Sequence, residues 1–278
     1  MSKSSDYIHG SSPDEQRRLS LLNEILNDAC IKQLNLQHEQ RIIDFGSGLG
    51  QFTRQMARTV GRGSTVIGIE RDGNQLEQAE QLAESEGDGD LVEFREGDVF
   101  HPPLEDSEWK SFDLAHARFL LEHVPQPVQV INQMARAVRP GGRVFVADDD
   151  HGNFLPWPEP RGFKVLWQGY VNSYKNSGND PYIGRNLVSL LHEAGLTSVE
   201  NGCVFFGGSA GSERFNAVAE NLISALVGAR ESILATGVLD LDAYQYGIDG
   251  LHKWKTIPDA ALWYSVFCAE GIVGTCDT

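Results

Sequence analysis

Asp44-Phe45-Gly46-Ser47-Gly48-Leu49-Gly50 stands between a short apolar run, residues 41–46, and a helical pattern over 51–60. Glycines at a strand-to-helix turn let the chain reverse tightly and let a ligand approach the backbone. The spacing is G-x-G-x-G. Dinucleotide-binding loops use G-x-G-x-x-G, which sets a helix N-terminus beneath a pyrophosphate. A ligand without phosphate has no need of that arrangement. Glu70 closes the next apolar run, 65–70, where a carboxylate accepts hydrogen bonds from a ribose diol. Taken alone, the loop also fits a plain strand-turn-helix with an exposed acid.

Outward from this loop the first half alternates strand and helix. Strands are expected at 41–46, 65–70, from 91, at 112–117 and at 143–147. Leu76, Ala79, Leu82 and Ala83 recur at helical spacing, as do Val128, Ile131, Met134, Ala135 and Val138. This alternation predicts a parallel sheet with helices on both faces. After Asp150 the rhythm changes. Pro156, Pro158 and Pro160 punctuate an ordered loop, and helices are expected at 163–175, 186–194, 212–235 (as one helix) and 240–254. Strands are expected near 198–206 and at 261–269. No internal repeat or low-complexity linker divides the chain.

The 278 residues suit one large α/β domain, with 39 acidic and 23 basic side chains and a formal charge of −16. A chain this acidic does not track a phosphate backbone and is repelled by anionic membrane surfaces, so neither nucleic acid nor a membrane is expected as partner. The four cysteines show no C-x-x-C spacing, which fits a reducing compartment and predicts no zinc site. The polar N-terminus has no signal-peptide core and no run is long enough to cross a bilayer, so the expected location is the cytoplasm.

Five stretches in order carry a family resemblance: DFGSGLG (44–50), GIERD (68–72), EGDVF (96–100), FDLAHARFLLEHV (112–124) and RPGGRVFVADDD (139–150). The chain resembles the class I S-adenosylmethionine-dependent methyltransferases, in particular the small-molecule subgroup. The resemblance covers roughly the first 150 residues and is architectural beyond them. It implies a Rossmann-like seven-stranded sheet with its last strand antiparallel and helical lid insertions. The expected layout is a single domain over 1–278. Residues 1–35 would form a helical cap, 36–150 the cofactor core, 151–260 a lid and substrate wall including the sixth strand, and 261–278 the final strand.

By the same resemblance, Gly46, Ser47 and Gly48 would face the amino-acid part of S-adenosylmethionine. Glu70 would hold the ribose hydroxyls with Arg71 beside it. Asp98 would hold the adenine amino group, helped by the Val99 backbone. Ala117 and Arg118 would contact the methionine end, Asp44 would order the glycine loop, and Tyr7 would fold over the cofactor. An aromatic face near a sulfonium is physically sensible; a Tyr on a frayed terminus is the competing reading.

Methyl transfer is an in-line displacement that needs positioning first, and a base only if the nucleophile must lose a proton. His116, His123 and His151 are the candidate bases. His123 reads as structural, able to bond a backbone carbonyl, and His116 points either into the core or to the cofactor according to the strand phase, with the core the favoured reading. His151, beyond the fifth strand on an expected active-site loop, is the catalytic candidate. Asp148-Asp149-Asp150 fits a metal site, recognition of a cationic or polyhydroxylated substrate, or a solvated strand end. Adjacent acids in an extended chain point alternately, so no metal is assigned. The aromatics of 154–174 fit either a pocket for a planar or apolar substrate or packing onto the core. The expected function is methyl transfer to a small molecule. The alternatives are a cofactor-binding protein without catalysis, serving as partner or sensor, and a nucleotide-dependent oxidoreductase. Acceptor atom and oligomeric state are not legible.

Overall fold

The computed structural model describes residues 26–274. Helix α1 covers 26–33, followed by β1 (Arg41–Phe45), α2 (Gln51–Val60), β2 (Thr65–Glu70), α3 (Gly73–Glu86), β3 (Glu93–Glu96), β4 (Phe112–Arg118), α4 (Pro127–Ala137) and β5 (Val138–Asp148). The second half contains β6 (Leu155–Trp157), α5 (Phe163–Asn176), α6 (Leu187–Glu193), β7 (Thr197–Phe205), β8 (Gly208–Ser209), α7 (Glu213–Gly228), α8 (Arg230–Ala235), α9 (Leu241–Trp254), β9 (Ala261–Trp263) and β10 (Ser265–Ile272). The main sheet has seven strands in the order β3-β2-β1-β4-β5-β10-β7. Strands β1 to β5 pair in parallel, and β10 runs antiparallel to both of its neighbours.

The central strands are covered on both faces, so they are apolar almost throughout. Ile42, Ile43 and Phe45 of β1 and Val66, Ile67 and Ile69 of β2 are buried. Each such side chain contributes about 1.5–3 kcal/mol on leaving water. Helix starts use side-chain caps. Asp72 accepts from the Asn74 and Gln75 amides, Ser212 from Phe215, and Asp240 from Ala243. On one face of the sheet, Leu26, Phe52 and Met56 join Tyr170, Phe215, Leu226 and Trp254 in one apolar cluster. On the other, Val130, Ile131 and Met134 pack with Leu187 and Leu191.

Three expectations need correction. Residues 212–235 form two helices, α7 and α8, redirected at Ala229, whose amide still bonds the Ala225 carbonyl. The apolar spacing survives the bend, so periodicity alone does not reveal it. The final strand does not run from 261. Ala261–Trp263 pairs with β6 and β8 in a separate three-stranded sheet, and only Ser265–Ile272 enters the main sheet. The chain changes sheets at Tyr264, whose carbonyl accepts from the Phe206 amide, while the Ser265 amide turns to the Asn153 side chain. The third strand begins at Glu93, later than expected. Of the expected N-terminal cap, residues 1–25 and hence Tyr7 lie outside the described residues.

The apolar cluster of α1 and α2 continues into the insertion without a break, and Trp254 is central to it. Its ring lies 5.1 Å from Phe215, and its Nε1 donates to the Trp157 carbonyl at 3.3 Å. Trp254→Ala is expected to cost about 3–5 kcal/mol through cavity formation. Chemical denaturation followed by fluorescence and by circular dichroism should show one shared transition moving to lower denaturant. A separate early transition of the insertion would contradict the shared core.

Candidate active site

The glycine loop is held from three sides. Gly46, Gly48 and Gly50 have φ values of 74°, 54° and 67°, in the left-handed region that L side chains resist. The Gly46 and Ser47 amides both donate to the Ile69 carbonyl at 2.9 Å, fastening the loop to the end of β2. The Gly48 amide donates to Glu70 Oε2 at 2.9 Å. Glu70 Oε1 accepts from the Arg71 and Asp72 amides, each at 2.9 Å. Three backbone donors therefore fix this carboxylate at the carboxyl edge of the sheet, where it remains half-exposed. Ser47 Oγ is buried and has no hydrogen-bond partner among the described residues.

Packing explains two of the glycines. A Cβ on Gly50 would meet the Phe94 ring at 2.3 Å, and one on Gly68 would stand 2.9 Å from the Ser47 side chain. Gly68 and Phe94 thus shape the loop from neighbouring strands. The sequence reading gave neither a role: Gly68 stands there only as the first residue of GIERD, and Phe94 lies outside the quoted stretches.

Beneath the loop, Asp44 is buried. Its Oδ2 accepts from Thr53 Oγ1 at 2.5 Å, and its Oδ1 lies 2.7 Å from His116 Nδ1. Asp44 thereby joins β1 to α2 and β4 from inside the core. His116 sits between the rings of Phe52 and Phe145, at 5.0 and 6.0 Å, and is a core group as expected.

The remaining expected cofactor contacts gather along the same sheet edge. Arg118 closes β4, stacks over Phe52 at 4.1 Å and donates to Asn27 Oδ1 at 2.9 Å. Ala117 is buried in the core cluster that holds Ile43, Leu121 and Val146. Side chains alternate along a strand, so Ala117 offers a ligand only its backbone. Asp98 is exposed after β3, and its Oδ1 accepts from the Phe100 amide at 2.9 Å. Val99 packs partly against the core.

At the ends of β4 and β5 the polar groups are enclosed. His151 lies in a one-turn 3-10 helix, not on an open loop, and is buried. Its ring is 4.8 Å from Tyr174 and 5.4 Å from both Tyr170 and Trp167. Burial, with some help from nearby His123, pushes its pKa down to about 3. His123 is held down to about 4, first by burial and then by the Arg71 charge. Its Nδ1 meets Asn179 Nδ2 at 3.4 Å, and its Nε2 lies 3.4 Å from Glu122 Oε1.

The three adjacent acids do not share a partner. Asp148 Oδ2 accepts from the Leu121 amide at 2.8 Å, and burial followed by the Asp149 charge pushes its carboxyl up to about 8. Asp149 Oδ2 stands 3.9 Å from His151 Nε2. Asp150 takes both the Gly152 amide, at 2.8 Å, and a two-pronged bond from Arg185, at 2.5 and 2.6 Å. Asn179 and Arg185 were not singled out in the sequence. Their spacing from the strand ends carries no signal.

The profile of a methyltransferase domain matches residues 36–168. This segment, a little under half of the chain, is similar to the methyltransferase-domain family. The match spans β1 to β5 and the start of α5, and so contains the whole glycine loop, Glu70 and the β4 edge. The chain is 34% identical over 142 residues to the methyltransferase GfsG of Streptomyces halstedii, covering 51% of this chain and 49% of that protein. It is 33% identical over 157 residues to the 27-O-demethylrifamycin SV methyltransferase of Amycolatopsis mediterranei, covering 56% and 54%. The chain thus matches about half the length of these curated relatives. In three dimensions it is similar to a phosphoethanolamine N-methyltransferase 2 of Haemonchus contortus. That likeness has a TM-score of 0.59 at 18% identity, covering 95% of this chain and 59% of the other, and it bears on the fold alone.

The enclosed histidines give the chain a pH-dependent stability. Their folded pKa values lie below the ordinary 6.5. Their stabilising contribution is therefore full above pH 6.5 and is lost as pH falls through about 4 and 3. Asp148 has the opposite sign, because its folded value exceeds the ordinary 3.8. Its contribution is present below that value and disappears as pH rises through about 8. Unfolding free energy should fall steeply from pH 6.5 to 4, and His151→Gln should flatten that fall. Asp148→Asn should gain stability relative to wild type above pH 8. Urea titrations across the pH range check all three signs.

Proposed function

We propose that the chain is an S-adenosylmethionine-dependent methyltransferase acting on a small molecule. The observation that carries this reading is the Glu70 carboxylate, fixed by the Gly48 amide of the glycine loop and by two amides of its own turn, and still half-exposed. A pre-aimed pair of acceptor oxygens suits a vicinal diol. Ser47 Oγ, buried without a partner among the described residues, is a further group that a bound cofactor would satisfy.

On this reading Glu70 takes the ribose hydroxyls, with Arg71 beside it. The loop Gly46-Ser47-Gly48 lies along the amino-acid part. Asp98 and the Val99 backbone meet the adenine edge, and the Ala117 backbone and Arg118 meet the methionine end. Asp44 acts indirectly, through Thr53 and His116. The bound cofactor supplies a methyl group on positively charged sulfur. The protein then has to hold the acceptor in line and exclude water. The aromatic enclosure of Trp167, Tyr170 and Tyr174 is suited to both tasks. No helix among the described residues is long and apolar enough to cross a membrane. A cytoplasmic location suits Cys30, Cys203 and Cys268, which are free thiols.

Glu70→Ala is expected to weaken S-adenosylhomocysteine binding by about 1–3 kcal/mol, measured by calorimetry. Because three amides also lose their acceptor, apo stability should fall by roughly 1 kcal/mol. Retained affinity would remove Glu70 from the site. Transfer of a labelled methyl group to extracts of small hydroxylated or amino compounds separates an enzyme from a mere cofactor-binding protein.

A further inference from the structure

The enclosed groups at the ends of β4 and β5 are left unused by cofactor binding. Asp149 Oδ2 and His151 Nε2 are 3.9 Å apart. That is too long for a direct hydrogen bond, and it is a separation that one oxygen atom bonded to both can bridge. His151 Nδ1 and Asn179 Oδ1 are buried and have no hydrogen-bond partner among the described residues. Buried polar atoms of this kind ordinarily find a partner. Asp149 also takes a hydrogen bond from Tyr264, the residue at which the chain crosses from the small sheet to the main one. Burial pushes the Tyr264 hydroxyl well above its usual range, so it stays a donor. The neighbours of Asp149 are committed elsewhere, Asp148 to the Leu121 amide and Asp150 to Arg185. The backbone around it is clamped as well. The Asp149 carbonyl accepts from the Gly184 amide and the His151 amide donates to the Pro181 carbonyl, both at 2.9 Å.

We propose that the gap between Asp149 and His151 is the subsite for a hydroxyl acceptor, with Asp149 receiving the proton and His151 holding the oxygen. This rests on the methyl-transfer reading above and goes beyond it by naming the acceptor atom. The hydroxyl donates to Asp149 Oδ2 and accepts from His151 Nε2–H. Oxygen has two lone pairs, so one remains free to attack. An sp3 nitrogen has a single lone pair, and accepting from His151 would consume it. In the reaction the acceptor O–H proton passes to the Asp149 carboxylate as an oxygen lone pair forms the new bond to carbon. The electron pair of the breaking carbon–sulfur bond goes to sulfur, which leaves as a neutral thioether. His151 does not serve as the base. Its ring is buried among Trp167, Tyr170 and Tyr174, where a positive charge is poorly solvated, so an imidazole whose protonated form has a pKa near 3 stays neutral, keeps its single N–H as a donor and is too weak a base to take the proton. The same rings favour an acceptor whose hydroxyl sits on an apolar or planar body.

The test uses two probes of one shape, 1-naphthol and 1-naphthylamine, both uncharged at neutral pH. Each is titrated by fluorescence against the full chain saturated with S-adenosylhomocysteine. The naphthol is expected to bind at least about tenfold more tightly, equivalent to about 1.4 kcal/mol. Asp149→Asn should abolish the preference, and Tyr264→Phe should reduce it while leaving the fold intact by circular dichroism. If Asp149→Asn does not fold, Tyr264→Phe carries the comparison alone. Binding of neither probe, a wild-type preference below about tenfold, or a preference that survives the substitutions overturns the proposal. S-adenosylhomocysteine affinity is measured in parallel by calorimetry. Its absence overturns the methyl-transfer reading, and the probes titrated without cofactor then judge the hydroxyl subsite separately.

Discussion

The carboxylate of Asp44 is the constraint on which the rest of the site depends. It is buried near the end of β1 and is satisfied by Thr53 from α2 and His116 from β4. An unpaired carboxylate there would cost several kcal/mol, so the chain must bring both partners to it. Doing so fixes where α2 starts and how β4 lies beside β1. The glycine loop bridges that distance with positive φ values that L side chains resist, and at Gly50 a Cβ would meet the Phe94 ring. A buried polar triangle thus sets the shape of a surface loop.

That shape delivers donors to Glu70. Once the Gly46 and Ser47 amides are tied to the Ile69 carbonyl, the Gly48 amide reaches the carboxylate of the next residue along β2. The binding edge is therefore largely organised by backbone hydrogen bonds, with few flexible side chains involved. Preorganisation of this kind lowers the ordering cost that a ligand must meet. The opposite half of the sheet is organised differently. There the groups are side chains, drawn from α5, from the segment 179–185 and from the β9–β10 junction, and enclosed by aromatic rings. One half of the sheet is suited to a constant ligand and the other to a varied one, consistent with a fold that hosts many acceptors.

The run Asp148-Asp149-Asp150 shows how context separates identical residues. Asp148 is buried and held towards its neutral form, Asp150 is paired with Arg185, and Asp149 stands near His151 and Tyr264. The alternation of side chains along an extended chain accounts for the divergence of neighbours. The assignment of partners comes from segments up to 115 residues away in sequence, Tyr264 among them.

The sequence by itself determined the parallel core. Its apolar runs, its turn glycines and its helical spacings are local properties, so β1 to β5, the glycine loop and Glu70 were legible from them, whereas the antiparallel last strand was implied only by the family resemblance. It also suggested that Asp44 orders the loop, though not through which groups. Tertiary structure alone decided the burial of His151, the loss of the Ala117 side chain to the core, the bend at Ala229, and the transfer of the chain between sheets at Tyr264. Each depends on contacts between residues far apart in the chain, and burial, not residue type, sets their chemistry. A histidine after a strand reads as an exposed base until α5 is folded over it, when desolvation makes it a neutral one.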